Sequence, residues 1–355
     1  MSGNRSANLD LLRLVAMFCI VIGHCIMYAV IGADGSAISI DVHSVGAMVA
    51  WGEMYWMFFL ASIGVNCFVM LSGYLLAESG YRWKSVMKTW LATFAYSFGI
   101  TLIFLVLGRA SVGDLLRSAA PVYFGEYWFM SMYIGLALIA PFLSKLVAVL
   151  SKREYIVMLI VLSVLNLRLF KFPYGEIYGG PMSLVWFVYL FLVGAFVRKY
   201  RPFEAFKHFG KCYFAFGILL ASAYMLLQLV QYKINGRPLN YGGTFYNSFT
   251  FVTSLLIFFW AVYLRIPSGR FSRIVCTLGP LALGVYLVSE HPYLRHLIWE
   301  EVFHLRGFID SPWVPLVIIG ASLVVFIVGI LVEWVRQWLF NVARIDAGVD
   351  RLFKK

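Results

Sequence analysis

The sequence is short of charge. Asp, Glu, Lys and Arg make up 13% of its 355 residues, against 62% apolar and aromatic residues. A water-soluble domain usually carries about 25% charged residues, and so few cannot cover the surface of a soluble particle of this size. Disordered and collagen-like chains are excluded on the same ground. Cysteine is sparse as well. Cys19, Cys25, Cys67, Cys212 and Cys276 lie in or beside apolar runs, none in CxxC spacing. Neither a disulfide framework nor a metal site is expected from that pattern. Long polar linkers, fixed-period repeats and low-complexity tracts are missing too. These absences leave an all-α polytopic membrane protein, a single domain over residues 1–355 built as one bundle of apolar helices.

What is present is a series of apolar segments near 9–31, 46–77, 86–107, 123–143, 154–170, 181–197, 212–231, 245–264, 274–298 and 313–335. A crossing needs about 20 residues, so about ten spans are expected. The segment 46–77 is long enough to tilt or to include an interfacial turn, whereas 154–170 and 181–197 are short. The net charge of +12 is a matter of topology. With the N-terminus inside, 20 Lys and Arg fall on the inner side and 7 on the outer. That bias predicts a cell-membrane protein with both termini cytoplasmic and needs no nucleic-acid partner. The polar start MSGNRSANLDLLRL leads into an apolar run without a small-residue cleavage site, and so reads as a retained first helix. The outer loops carry acids and aromatics, as in YFGEYW and NYGGTFYN, where aromatics commonly anchor the interface.

Ionisable groups inside a spanning helix are costly and need a partner or a task. The first helix has Asp10, Arg13 and His24. Arg13 and His24 are eleven residues apart, which puts them within about 20° of one face and about 16 Å apart along the axis. Asp10 lies three residues before Arg13, on the same side. The stripe runs from a cation near the inner edge to an imidazole past the midplane. Its plainer reading is an arginine that snorkels to the headgroups and a histidine that bonds a neighbouring helix.

The string LDLLRLVAMFCIVIGH resembles the opening of the acyltransferase-3 family of integral membrane acyltransferases, whose first helix carries Arg-x10-His, here Arg13 to His24. GVNCFVMLSGYLLA, YWFMSMYIGLALIAPFLSKL and GVYLVSEHPYLRHLIW follow in the family's order, so the resemblance covers most of the chain. After the second helix the family usually has two arginines three apart; this chain has Arg82, Lys84 and Lys88 instead. The resemblance implies transfer of an acyl group, commonly acetyl from cytoplasmic acetyl-CoA, to a hydroxyl of an extracytoplasmic or lipid-linked glycan. Acetyl-CoA would be a substrate, with no bound cofactor. Some relatives carry an appended hydrolase-like domain, and this chain is expected to be of the type without one.

Under that reading Arg13, Arg82, Lys84 and Lys88 are donor-binding candidates, with the pantetheine arm threaded along the stripe. His24 is the candidate base that removes a hydroxyl proton, and a carboxylate beside it would orient the ring. Glu290 is the expected partner; Glu53, Asp10 and His291 are the alternatives, Glu53 being expected at a similar depth to His24. Asn66 and Ser72 are candidate donors to the oxyanion, although Ser72-Gly73 also reads as a helix-packing site. Glu126, Tyr127, Trp128, Tyr241 and Tyr246 are candidate acceptor contacts at the outer face. Direct transfer and an acyl-histidine intermediate both remain open. The rival reading is a transporter or flippase for a glycan or lipid-linked precursor, which often shows internal repeats.

Overall fold

The computed structural model describes residues 6–31, 45–77, 83–167, 180, 182–202, 204, 210–235, 247–309 and 311–353. Among them the secondary structure is helical throughout, with no strand. The helices are α1 (Ala7–His24), α2 (Val45–Leu76), α3 (Trp83–Val106), α4 (Val112–Ser118), α5 (Trp128–Val149), α6 (Lys152–Asn166), α7 (Leu184–Tyr200), α8 (Gly210–Asn235), α9 (Ser248–Tyr263), α10 (Arg270–Leu278), α11 (Ala282–Ser289), α12 (Pro292–His296), α13 (Val314–Val342) and α14 (Ile345–Leu352).

Each of the ten expected segments coincides with helix, but seven of these helical stretches are long and apolar enough to cross a membrane. α6, α7 and α9 have 15, 17 and 16 residues. They reach about 22–26 Å against a hydrocarbon core of about 30 Å. The segment 46–77 contains no interfacial turn, since α2 is a continuous helix of 32 residues. The segment 274–298 is not one helix. It runs as α10, a 3₁₀ turn at Gly279–Leu281, α11, α12 and a π-helical turn at Leu297–Val302. Pro280 and Pro292 mark the two breaks, because proline lacks the N–H that would continue the ladder.

α2 is apolar on every side, and it is the helix the others surround. It packs on α1, α7, α8 and α9. Two close approaches fix it. A methyl group at Gly73 would lie 2.0 Å from the Phe191 carbonyl oxygen, and one at Gly194 would lie 1.9 Å from the Met70 carbonyl oxygen, so α2 and α7 touch backbone to backbone. On its other side, a methyl group at Gly64 would lie 2.5 Å from the Ala16 carbonyl oxygen, which sets the register of antiparallel α1. Polar starts are capped locally. Ser111 with Asp114 and Ser151 with Glu154 form capping boxes at α4 and α6, satisfying backbone donors that a helix start leaves free. α13 turns Leu316, Val324, Ile327 and Leu331 outward, an apolar face suited to lipid.

Candidate functional site

α1 is a regular α-helix from Ala7 to His24, so the spacing of Arg13 and His24 holds as read. Near its N-terminus Arg13 donates to the Asp10 carboxylate. Asp10 is buried, and a methyl group at Gly279 would lie 2.7 Å from its Oδ1; the 3₁₀ turn before α11 therefore packs directly on this acid. Asp10 lies fourteen residues before His24, about 21 Å along the axis. Its place beside Arg13, and not beside the imidazole, sets aside its reading as an alternative acid for His24.

Arg13 opens into a cavity of about 230 Å³ shared with Ser72 and Leu76 of α2, Ser85 and Thr89 of α3, and Tyr133 and Pro141 of α5. Pro141 is inside α5, so the Ala137 carbonyl loses its helical donor, and both residues line the cavity. Ser72 donates to the Phe68 carbonyl. It belongs to this inner cavity, which corrects its reading as an oxyanion donor beside His24. Lys84 and Lys88 stand on the same turns of α3, but their ammonium groups face α14. Lys88 Nζ is 3.1 Å from Asp350 Oδ1 and 3.9 Å from Asp346 Oδ1, and Lys84 Nζ is 3.7 Å from Asp350 Oδ1. Arg82, Tyr241 and Tyr246 lie outside the described residues.

At its C-terminal end α1 widens into a π-helical turn over Cys25–Ile31. The same end of the bundle holds the α11–α12 break. Pro292 opens α12 and favours an extended His291 before it, as found (φ −59°, ψ 129°). The chain therefore turns at Glu290, and its carboxylate meets α1. His24 Nε2 lies 3.3 Å from Glu290 Oε2. The other oxygen, Oε1, accepts from Tyr28 Oη at 3.0 Å and from Arg295 Nη1 at 3.1 Å. Arg295 also stacks over the Tyr28 ring at 4.8 Å. On the opposite edge of the imidazole, Ser289 Oγ is 3.4 Å from Nδ1. His24 is 8% exposed, Glu290 3% and Ser289 0%.

Glu290 is thus the carboxylate placed beside His24, and the remaining alternatives are elsewhere. Gly23 lies against Ala61, a methyl group there being 3.4 Å from the Ala61 Cβ. Glu53 is eight residues further along α2, about 12 Å, so its expected depth is corrected. It lines a groove with Trp56 of α2 and Ser222, Met225 and Leu229 of α8. His291 is the N-cap of α12. Its Nδ1 accepts from the Tyr293 N–H, and its Nε2 is within 3.2 Å of the Ser97 carbonyl and 3.3 Å of Thr101 Oγ1. Nδ1 caps α12, and Nε2 holds that cap on α3. Asn66 shares its amide between Trp186 Nε1 and Ser254 Oγ, each at 3.2 Å, on the side of α2 facing α7 and α9; that corrects its reading as an oxyanion donor.

Of the outer candidates, Tyr127 is fully buried and donates to the Leu287 carbonyl at 3.0 Å, a core role that removes it as a surface contact. Trp128 packs edge-on against Phe129 and Phe187, and Glu126 is 3.5 Å from Arg117. Between the Arg13 cavity and the imidazole stands a layer of rings. Tyr133, on the cavity wall, stacks on Phe129 at 5.8 Å; Phe129 meets Tyr286 at 5.4 Å, and Tyr286 meets His24 at 6.0 Å. His24 is not among the residues that line this cavity, and the ring contacts from Tyr133 through Phe129 and Tyr286 connect the cavity wall to the imidazole.

Three participants escaped the sequence. Tyr28 is four residues after His24, a spacing that places two side chains on one helix face and was available as a signal. Arg295 was visible as a charge within a helix. On an unbroken helix it would point well away from Glu290, five residues earlier; only the turn at Pro292 brings it back. Ser289 gave no signal at all.

The pair formed by a buried imidazole and a buried carboxylate, with a hydroxyl at the second ring nitrogen, is a proton-transfer arrangement. No curated protein and no solved structure matches the chain. The family model described as an acyltransferase domain, that of the acyltransferase-3 proteins, matches residues 6–333, and the chain belongs to this family of membrane acyltransferases.

Proposed function

We propose that the protein is a membrane O-acetyltransferase, moving an acetyl group from cytoplasmic acetyl-CoA to a hydroxyl of an extracytoplasmic or lipid-linked glycan of the cell envelope. The observation that carries this reading is the His24–Glu290 pair, buried at the far end of the helix whose near end presents Arg13 to an inner cavity. In this reading the bundle crosses the cell membrane about ten times with both termini cytoplasmic, as the Lys and Arg bias favours. The short helices α6, α7 and α9 cross where the bundle shields their ends.

The Arg13 cavity takes the donor. Arg13 supplies the first cation for the anionic nucleotide end, and Lys84, Lys88 and Arg82 are the further candidates. The thioester reaches His24 when the Phe129, Tyr133 and Tyr286 rings turn aside. Glu290, fixed by Tyr28 and Arg295, stands 3.3 Å from Nε2 and favours the ring proton on that nitrogen, which leaves the lone pair on Nδ1. Nδ1 removes the proton of the attacking hydroxyl as the thioester carbon is approached, and Glu290 stabilises the imidazolium that forms. Trp128 and Glu126, with Tyr241 and Tyr246, are the candidate contacts for the glycan.

The test is glycan analysis of cells with and without the protein, beside His24→Ala and Arg13→Ala variants verified for membrane abundance. O-acetylation is expected to vanish without the protein and to fall by roughly 10²–10⁴-fold or more in His24→Ala. Unchanged acylation in both variants sinks the site. A glycan that fails to reach the outer surface, with acylation intact, would point to a flippase instead.

A further inference from the structure

The imidazole of His24 has two edges, and the reading above uses one hydroxyl that must come from a substrate. The structure already holds another. Ser289 Oγ stands 3.4 Å from Nδ1, and Glu290, the next residue in the chain, stands 3.3 Å from Nε2. The order hydroxyl, imidazole, carboxylate is that of an activated nucleophile with its base and its orienting acid. Ser289 closes α11, and Glu290 is the turn residue that follows. One helix end therefore delivers both groups to opposite edges of the same ring. Among the described residues its one further hydrogen bond is a long one, 3.4 Å, to the Tyr286 carbonyl of its own helix, so the backbone does not hold it firmly.

Resting on the acyltransfer reading, we infer that Ser289 is the first acyl acceptor and that transfer proceeds through an acyl-serine. In the first half, Ser289 Oγ attacks the thioester carbon while His24 Nδ1 takes the hydroxyl proton. The O–C bond forms, the C–S bond breaks, and the leaving thiolate receives that proton. In the second half, a glycan hydroxyl attacks the acyl-serine carbon and gives its proton to Nδ1. The Ser289 oxygen leaves and recovers it. No oxidant, reductant or further reactant is needed. The relay also answers a spatial problem. The three side chains are buried, and the Phe129–Tyr133–Tyr286 layer separates them from the inner cavity. A covalent acyl group lets the donor leave before the acceptor arrives, so the site never has to open to both sides of the membrane at once.

The experiment uses the detergent-purified full chain and radiolabelled acetyl-CoA without any glycan, followed by peptide mass spectrometry. The expected result is an acetyl ester on Ser289 in the wild type, absent from Ser289→Ala and from His24→Ala. On adding glycan, the label should pass to it. Ser289→Ala should lower transfer roughly a hundredfold or more, and Ser289→Cys should carry the label as a hydroxylamine-sensitive thioester, showing that the fold survives substitution. Label on His24 instead, or a Ser289→Ala protein within threefold of the wild type, would overturn the inference and leave the acyltransfer reading standing. A wild type that transfers no acyl group to any glycan would overturn both.

Discussion

At the residue scale the decisive object is one carboxylate with three neighbours. Glu290 faces His24 through Oε2 and is tied through Oε1 to Tyr28 and Arg295. Hydrogen bonds to a charged group are typically worth about 1.5–3 kcal/mol, so the pair of donors fixes the carboxylate more firmly than the imidazole does. Glu290→Gln keeps the shape and removes the charge. Its expected outcome is a fall in transfer of roughly 10²–10⁴-fold with little change in the KM of the proposed donor, since the Arg13 cavity is at the other end of α1; steady-state kinetics on purified protein would show it. Equal losses in kcat and donor affinity would mean that the residue works through the fold. Tyr28→Phe removes one of the two donors to Oε1 and should cost roughly tenfold in kcat, the equivalent of about 1.5 kcal/mol. A Tyr28→Phe protein with full activity would show that Arg295 alone is enough. Asn66 and His291 teach the opposite lesson. Both looked reactive in the sequence, and both spend their hydrogen bonds on holding helices together.

At the element scale, two kinds of local event build the site. One is the break at Pro292, which ends α11 at Ser289 and turns Glu290 toward α1. The other is the contact of α2 with its neighbours through small residues. Gly73 and Gly194 allow α2 and α7 to meet at backbone distance, and a side chain there cannot move aside because its obstacle is a carbonyl. Gly73→Ala is expected to separate the helices and to destabilise the bundle by about 1–3 kcal/mol or more. A lower midpoint of thermal aggregation in detergent would register it. Gly99→Ala, where a methyl group meets nothing within 4 Å, is the control and should leave the midpoint in place.

At the scale of the whole molecule, the inner rim has an arrangement that no single helix shows. Lys84 and Lys88 of α3 hold Asp346 and Asp350 of α14, so the last described helix is clipped beside the Arg13 cavity, whose wall includes Ser85 and Thr89 of the same turns. A hydrogen bond from Lys88 holds the Asp350 carboxyl below its ordinary value, with the charges of Lys88 and Lys84 adding to it. A carboxyl depressed in the folded state contributes docking above its unfolded value of about 4 and loses that contribution as pH falls through the folded value. Hydrogen exchange of residues 345–352 should therefore rise as pH falls below about 4. It should rise also in molar salt, where exposed pairs are screened. Exchange corrected for its intrinsic pH dependence that stays flat over both ranges would show that apolar contacts, such as buried Val349, hold α14 alone.

The sequence by itself determined the class and much of the active helix. A composition this poor in charge has only a bilayer to fold in, and an α-helix has a fixed pitch, so Arg13 and His24 had to share a face about 16 Å apart. Depth counted along the helices put both Glu290 and Glu53 near His24, and the family resemblance favoured Glu290. Local periodicity carries no information about which side of a neighbouring helix a residue will face. Glu53, at a similar count, is therefore found in a groove against α8, and Ser72 in the inner cavity. What only the tertiary structure decided is the set of contacts made possible by broken and widened helices. The π-helical turn after His24 and the proline turn after Glu290 place Tyr28, Arg295 and Ser289 around the pair. The Tyr28–Glu290 and Ser289–His24 contacts join residues more than 260 positions apart in the chain, and they depend on packing that no single helix specifies.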